Sequence, residues 1–217
     1  DWVMFCDFDD CFSSVFGLYI VFAAIHEDKY DTIRAAFTEE TQKKDGQIVL
    51  VAHDQDYVFI HGKAHRRQFL IDNNIRFNPK LTIHEDVYFN MLVQRIVNSD
   101  RIATIKTPIY CWRWNPDSIV RKDKAEDYVL LTYGHLIRCR IAMTEEFMKR
   151  GMNEMAMITI IKTVVDAYYD WQQFEWMKPE NKDLVRKAEN WVASYLKRYA
   201  GLYCKADSKT IAGMVRS

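Results

Sequence analysis

Residues 3–12 read VMFCDFDDCF, an apolar run of strand character that ends in three carboxylates, Asp7, Asp9 and Asp10. Like charges this close repel, and each costs free energy to desolvate unless something positive stands between them. A divalent cation is the usual answer. An inert arrangement competes, because Asp favours helix N-termini and Asp10 or Ser13 would cap a helix starting near Ser14. The strongly apolar strand before the acids favours the cation.

Two enzyme chemistries use Asp-X-Asp at a strand end. In one, the acids hold Mg²⁺ or Mn²⁺, which bridges the two phosphates of a nucleotide-sugar and stabilises the departing diphosphate. In the other, that of haloacid-dehalogenase-like phosphatases, Asp7 is the nucleophile and Asp9 the general acid.

The chain has 217 residues, 49% of them hydrophobic, enough for a real core. Lys and Arg total 30 and Asp and Glu total 30, so no global field draws in nucleic acid or an anionic membrane. Five cysteines with no CxxC spacing suit reduced thiols in a cytoplasm better than a disulfide framework or a zinc site. No stretch reads as a signal peptide or membrane span.

Strands are expected at Val3 to Cys6, 48–53 (IVLVAH), 56–62 (DYVFIHG), Ile102 to Ile105 and Ile109 to Trp114. Helices are expected at Ser14 to Ile25, Lys63 to Asn73 and Glu85 to Asn98. From Asp123 onward the apolar spacing of three and four, as in Val129, Leu130, Tyr133, Leu136, Ile137 and Ile141, reads as helix. Two later helices, Asn153 to Trp176 and Glu180 to Tyr199, are separated at Lys178-Pro179. The fold class is therefore α/β followed by an α-helical C-terminal region, divided as 1–121 and 122–217.

The stretch 59–94, FIHGKAHRRQFLIDNNIRFNPKLTIHEDVYFNMLVQ, carries a specific likeness. A Gly-Lys-X-X-Arg-Arg-X-Phe-Leu segment, an Asn-X-Arg-Phe turn and a Glu-Asp that opens a helix follow one another. With CDFDD before it and TIKTPIYCWRWNPDSIVR (104–121) after it, this resembles the second half of the catalytic domain of inverting family 2 glycosyltransferases of the GT-A fold. The family's first half, which clasps the nucleotide, has no counterpart here. A partial GT-A mixed sheet would expose an apolar edge that a partner chain or a preceding segment must cover.

The resemblance implies a metal-dependent enzyme that moves a sugar from a nucleotide-diphosphate-sugar to a saccharide or lipid-linked saccharide. Asp86 matches the family's catalytic base, and a helix N-terminus would hold its carboxylate ionised. Asp9 is the first expected ligand of Mn²⁺ or Mg²⁺, with Asp7 on the metal or the donor ribose and Asp10 orienting either. His61, Gly62, Lys63 and Glu85 are expected at the donor or substrate, with Gly62 allowing close approach to a ligand and Lys63 meeting phosphate. Trp112 and Trp114 would share one strand face and stack on a sugar, and Arg121 would grip a diphosphate. Of Arg66 and Arg67, one is expected in an ion pair and the other exposed.

The helical tail, with KTVVDAYYDWQQFEW (162–176) and Trp191, Tyr195 and Tyr199, is expected to pack its aromatics into a core. A cytoplasmic setting follows, with a peripheral position at a membrane left open. A third reading keeps the fold without catalysis, as a glycan-binding or structural remnant.

Overall fold

The computed structural model describes residues 1–54, 56–118, 134–173 and 182–203. The chain divides into two compact units, Asp1–Phe77 with Phe89–Ser118, and Asn78–Tyr88 with Ile119–Ser217. The break after Ser118 lies close to the expected one, but the segment leading into Asp86 groups with the helical unit.

The first unit is α/β around a mixed sheet. Among the described residues the sheet has six strands: β1 (Trp2–Met4), β2 (Cys11–Phe12), β3 (Thr32–Gln42), β4 (Ile48–His53), β5 (Lys63–Arg66) and β6 (Ile102–Trp112). Their order is β1-β5-β3-β6-β2, with β4 also on β3, and only β3 and β6 run parallel. The helices are α1 (Gly17–His26), α2 (Arg67–Asp72) and α3 (Glu85–Ile96), the last of which crosses the division between the units. Val21, Ile33, Ala35, Phe37, Ala64, Ala103, Ile109 and Tyr110 form the core over which α1 lies.

Several expectations need correcting. The central strand β3 was not anticipated, because its buried run Thr32–Phe37 includes Arg34, which breaks the apolar pattern. Residues 56–62 are bends and turns rather than a strand. Asp56 is the cause: its Oδ1 accepts from the backbone N–H of Val58 (3.0 Å) and Phe59 (2.7 Å), an Asx-type capture that competes with sheet pairing. The expected helix from Lys63 begins only at Arg67. Residues 63–66 are instead β5, held between β1 and β3 by pairs such as Val3↔His65 and Thr32↔His65.

The two strands expected at 102–105 and 109–114 are one strand that ends at Trp112. Its ladder to β3 shifts between Ala35↔Ile105 and Phe37↔Tyr110, the interval that holds Pro108, which has no N–H to give. The inert capping role of Asp10 or Ser13 also fails, since α1 starts after Phe16 with no side-chain cap.

The second unit contains α4 (Leu136–Lys149), α5 (Asn153–Gln173), α6 (Lys182–Arg198) and α7 (Ala200–Tyr203). Ile137, Ile160, Ala188, Val192, Tyr195 and Tyr199 make its core, with Trp191 packed on it, as expected for these tail aromatics. Gly151 at φ +73° closes α4 in the left-handed conformation, and Met152 N–H returns to the Phe147 carbonyl (2.8 Å). Among the expected features, Val129, Leu130, Tyr133, the Lys178-Pro179 junction, Phe174 and Trp176 lie outside the described residues. Among the described residues, no helix is long and apolar enough to cross a membrane.

Candidate functional site

β1 delivers the chain to Phe5, whose ring meets Phe77 and Phe89 edge-on at 5.2 and 5.7 Å. This aromatic anchor fixes where the acidic turn begins. Asp10 N–H bonds back to the Asp7 carbonyl (3.2 Å), folding residues 7–10 into a tight turn.

The turn is then tied to β6 by a tyrosine that sequence reading passed over. Asp7 N–H donates to the Tyr110 hydroxyl (3.1 Å), and that hydroxyl donates to Asp10 Oδ2 (2.6 Å). Arg113 N–H donates to Asp10 Oδ1 (2.9 Å). Asp10's side chain is only 1% exposed, and these two donors offset part of its lost hydration. Burial first, and then the bond to Asp10, push the Tyr110 phenol far above its ordinary range, so it remains a donor.

His61 completes the cluster. Its Nδ1 lies 3.9 Å from Asp10 Oδ2, and its ring stacks near-parallel on Tyr110 at 5.0 Å and meets Trp112 at 5.1 Å and Phe59 at 5.8 Å. Asp7, Asp10 and His61 each bring one possible ligand atom into a group spanning no more than 4.8 Å, which could hold a metal ion. Ligand atoms around a cation at about 2.1 Å sit roughly 3–4.2 Å apart, so little contraction would be needed. Two carboxylates and an imidazole form a mixed oxygen and nitrogen donor set of the kind that divalent metal ions accept.

Asp9, expected first among the ligands, points elsewhere: Asn115 Nδ2 donates to its Oδ2 (2.7 Å). Neighbouring acids in a tight turn project in different directions, so only two of the three join His61.

Other expected residues have roles within the fold. Gly62 sits at φ +67°, and a Cβ there would be 2.8 Å from the Ala35 carbonyl oxygen, so its close approach is to β3. Its own carbonyl accepts from Ala35 N–H (2.9 Å). Lys63 is buried on β5 rather than at a helix start, with Nζ donating to Asp56 Oδ1 (3.1 Å) and to the Phe59 carbonyl. Trp112 and Trp114 do not share a strand face, because β6 ends at Trp112. Trp114 N–H donates to Glu40 Oε2 (2.8 Å) in the segment beyond. Arg66 pairs with Asp28 (2.8 Å) and Arg67 is exposed, as expected. Arg121 lies outside the described residues.

Glu85 and Asp86 open α3, as expected, and belong to the second unit, whereas Asp7, Asp10 and His61 belong to the first. His84 just before them holds φ +63°, a conformation that a non-glycine residue adopts only when its surroundings enforce it. Its carbonyl accepts from Tyr88 N–H (3.0 Å) and from the Cys139 thiol (3.4 Å), and these bonds fix the entry into the helix. Asp86 Oδ1 accepts from Val87 N–H (2.7 Å) in the first turn, where the helix dipole favours its ionised form. Burial, reinforced by Asp86 and Glu85, pushes the Cys139 thiol up to about 12.

Comparison of the chain with protein-family models and with curated proteins returns no match, so the likeness to family 2 glycosyltransferases rests on the residues quoted for it.

Proposed function

We propose that the chain is a metal-dependent, inverting glycosyltransferase that moves a sugar from a nucleotide-diphosphate-sugar to a hydroxyl of a saccharide or lipid-linked saccharide. The observation that carries this reading is the convergence of Asp7 and Asp10 with His61 at the end of β1. In this reading the mixed sheet is part of a GT-A domain. A bound Mn²⁺ would supply charge neutralisation for the departing diphosphate.

The chain's own residues account for the rest. Tyr110 and the Arg113 amide hold the Asp10 carboxylate in place, and the Trp112 ring beside His61 offers an aromatic face of the kind that sugars stack on. Asp86 takes the proton from the acceptor hydroxyl as that oxygen attacks the anomeric carbon. A partner chain or preceding segment would cover β4, where Ile48, Leu50 and Val51 are exposed and only β3 pairs among the described residues.

Titrating Mn²⁺ and a uridine diphosphate sugar into the protein tests the reading. Binding of the donor should depend on Mn²⁺, and Asp10→Asn or His61→Ala should weaken the metal by about 10–100-fold. Asp86→Asn should leave donor binding intact while lowering transfer about 10²–10⁴-fold. Donor and metal that fail to bind the folded chain would sink the proposal in favour of a non-catalytic module, with His61 and Asp10 as a buried structural pair.

A further inference from the structure

β2 is two residues long, and its register on β6 sets Cys11 directly opposite Cys111 and Phe12 opposite Tyr110. Residues directly opposed across an antiparallel pair share a sheet face, with Cα atoms about 4.5–5.5 Å apart. A disulfide requires roughly 4.4–6.8 Å between Cα atoms, so this position admits one without moving the backbone. Both thiols are free, and they differ in access, Cys11 being exposed and Cys111 buried. Burial raises the Cys111 thiol, and the Cys11 thiol beside it acts in the same direction through charge and a hydrogen bond.

We propose that Cys11 and Cys111 are a redox pair that closes to a cross-strand disulfide when the protein meets hydrogen peroxide. The exposed Cys11 sulfur attacks the O–O bond and takes one oxygen as a sulfenic acid, and the other oxygen leaves as water. The Cys111 thiol then attacks Cys11 Sγ, the S–O bond breaks and a second water leaves as the S–S bond forms. Two thiols lose two electrons and two protons, and one hydrogen peroxide becomes two waters. Exposure of one sulfur and shelter of its neighbour give the two the unequal roles of attacking and resolving thiol.

The bond would act on the neighbouring carboxylate. Asp10 precedes Cys11, and its two oxygens accept from Tyr110, which precedes Cys111 on the facing strand, and from Arg113, just past that strand's end. Closing the disulfide therefore pins the turn that carries Asp7 and Asp10. This consequence rests on the metal reading above, whereas the disulfide itself does not.

The test treats the full chain with hydrogen peroxide and maps its peptides without reduction. A cross-link between the Cys11 and Cys111 peptides is expected, with a loss of about 2 Da that a dithiol reductant reverses. Cys6→Ser should keep the cross-link, and Cys11→Ser, at an exposed position, should fold and lose it. Hydrogen exchange at the Arg113 amide should slow in the oxidised form. A bond from Cys11 to Cys6 instead, oxidation that stops at a single sulfur acid, or unreacted thiols would each overturn the pair. Mn²⁺ titrated into both forms should bind the oxidised one more tightly by about threefold, through a preorganised ligand. Equal affinities would overturn the coupling. Absence of Mn²⁺ binding in either form, with the cross-link present, would remove the metal centre and leave the disulfide standing.

Discussion

The two units bury polar groups in opposite ways. In the first, Arg34, His61, Lys63, His65 and Asn90 are buried beside apolar strands; Arg34, His65 and Asn90 find partners in distant segments, and Lys63 pairs with Asp56 in the turn just before it. Arg34 reaches Gln94 (3.1 Å) and lies 4.1 Å over the Tyr57 ring. In the second, the buried polar residues among those described are Thr144, Thr159 and Thr163, whose hydroxyls return to carbonyls one turn back at 2.7–2.8 Å. Hydroxyls satisfied inside their own helix are inexpensive to bury, whereas charges and imidazoles demand a designed surrounding. Among the described residues, the difference gathers the buried charges and imidazoles in the first unit and leaves the second with self-satisfied threonines.

The comparison can be broken most sharply at two glycines of positive φ. Gly62→Ala should cost about 3 kcal/mol or more, because the left-handed strain is joined by a clash with the Ala35 backbone. Gly151→Ala, with nothing within 4 Å of its Cβ, should cost only about 1 kcal/mol. Urea unfolding of the two variants reads the contrast, and equal losses would mean that the close approach of β5 to β3 carries little weight.

Lys63→Met comes next. It takes the cation from the Asp56 carboxylate, which is 14% exposed and keeps only its two backbone donors, and should cost roughly 3 kcal/mol in the same assay. A neutral or stabilised variant would show that the pair serves geometry rather than stability.

His65 gives a pH signature confined to the first unit. Burial above all, helped by the charge of Lys63, lowers its pKa from 6.5 to about 3, so the folded protein keeps it neutral. The unfolded chain takes up the proton first as pH falls, so stability drops between about pH 6.5 and pH 3 and is fully present above that window. The slope from this one group should approach about 1.4 kcal/mol per pH unit, and His65→Gln should flatten it. An unchanged slope in the variant would assign the acid sensitivity to other groups.

Tyr195→Phe should have the smallest effect. It removes one buried hydroxyl bond to Thr144 (2.9 Å) in the helical unit, while Thr144 keeps its bond to the Arg140 carbonyl (2.8 Å). A loss of about 1 kcal/mol by thermal unfolding is expected. A loss comparable to that of Lys63→Met would mean that the second unit also depends on a buried polar network.

Legibility of the site follows the same division. The acidic turn was visible because its three carboxylates are neighbours in sequence, and the Glu85-Asp86 helix start because its acids precede an apolar period. Tyr110 was hidden, since nothing local announces that a strand tyrosine will meet Asp10 a hundred residues away. His61 was named among substrate contacts, yet its partnership with Asp10 comes from two distant segments. Which of Asp9 and Asp10 would be buried was equally hidden, because burial depends on what β6 brings to each oxygen.

By itself the sequence determined what short-range periodicity and residue chemistry control. It set the mixed α/β composition followed by helices, the bounds of β4 at Ile48–His53, the start of α3 at Glu85 and the crowding of carboxylates after Phe5. Tertiary structure alone decided that 63–66 would be a strand, that 32–42 would be the sheet's centre, and that Asp7 and Asp10 would be joined by His61. The physical reason is that strand pairing and desolvation are settled by partners far along the chain, whose free energies outweigh the local preferences a sequence displays.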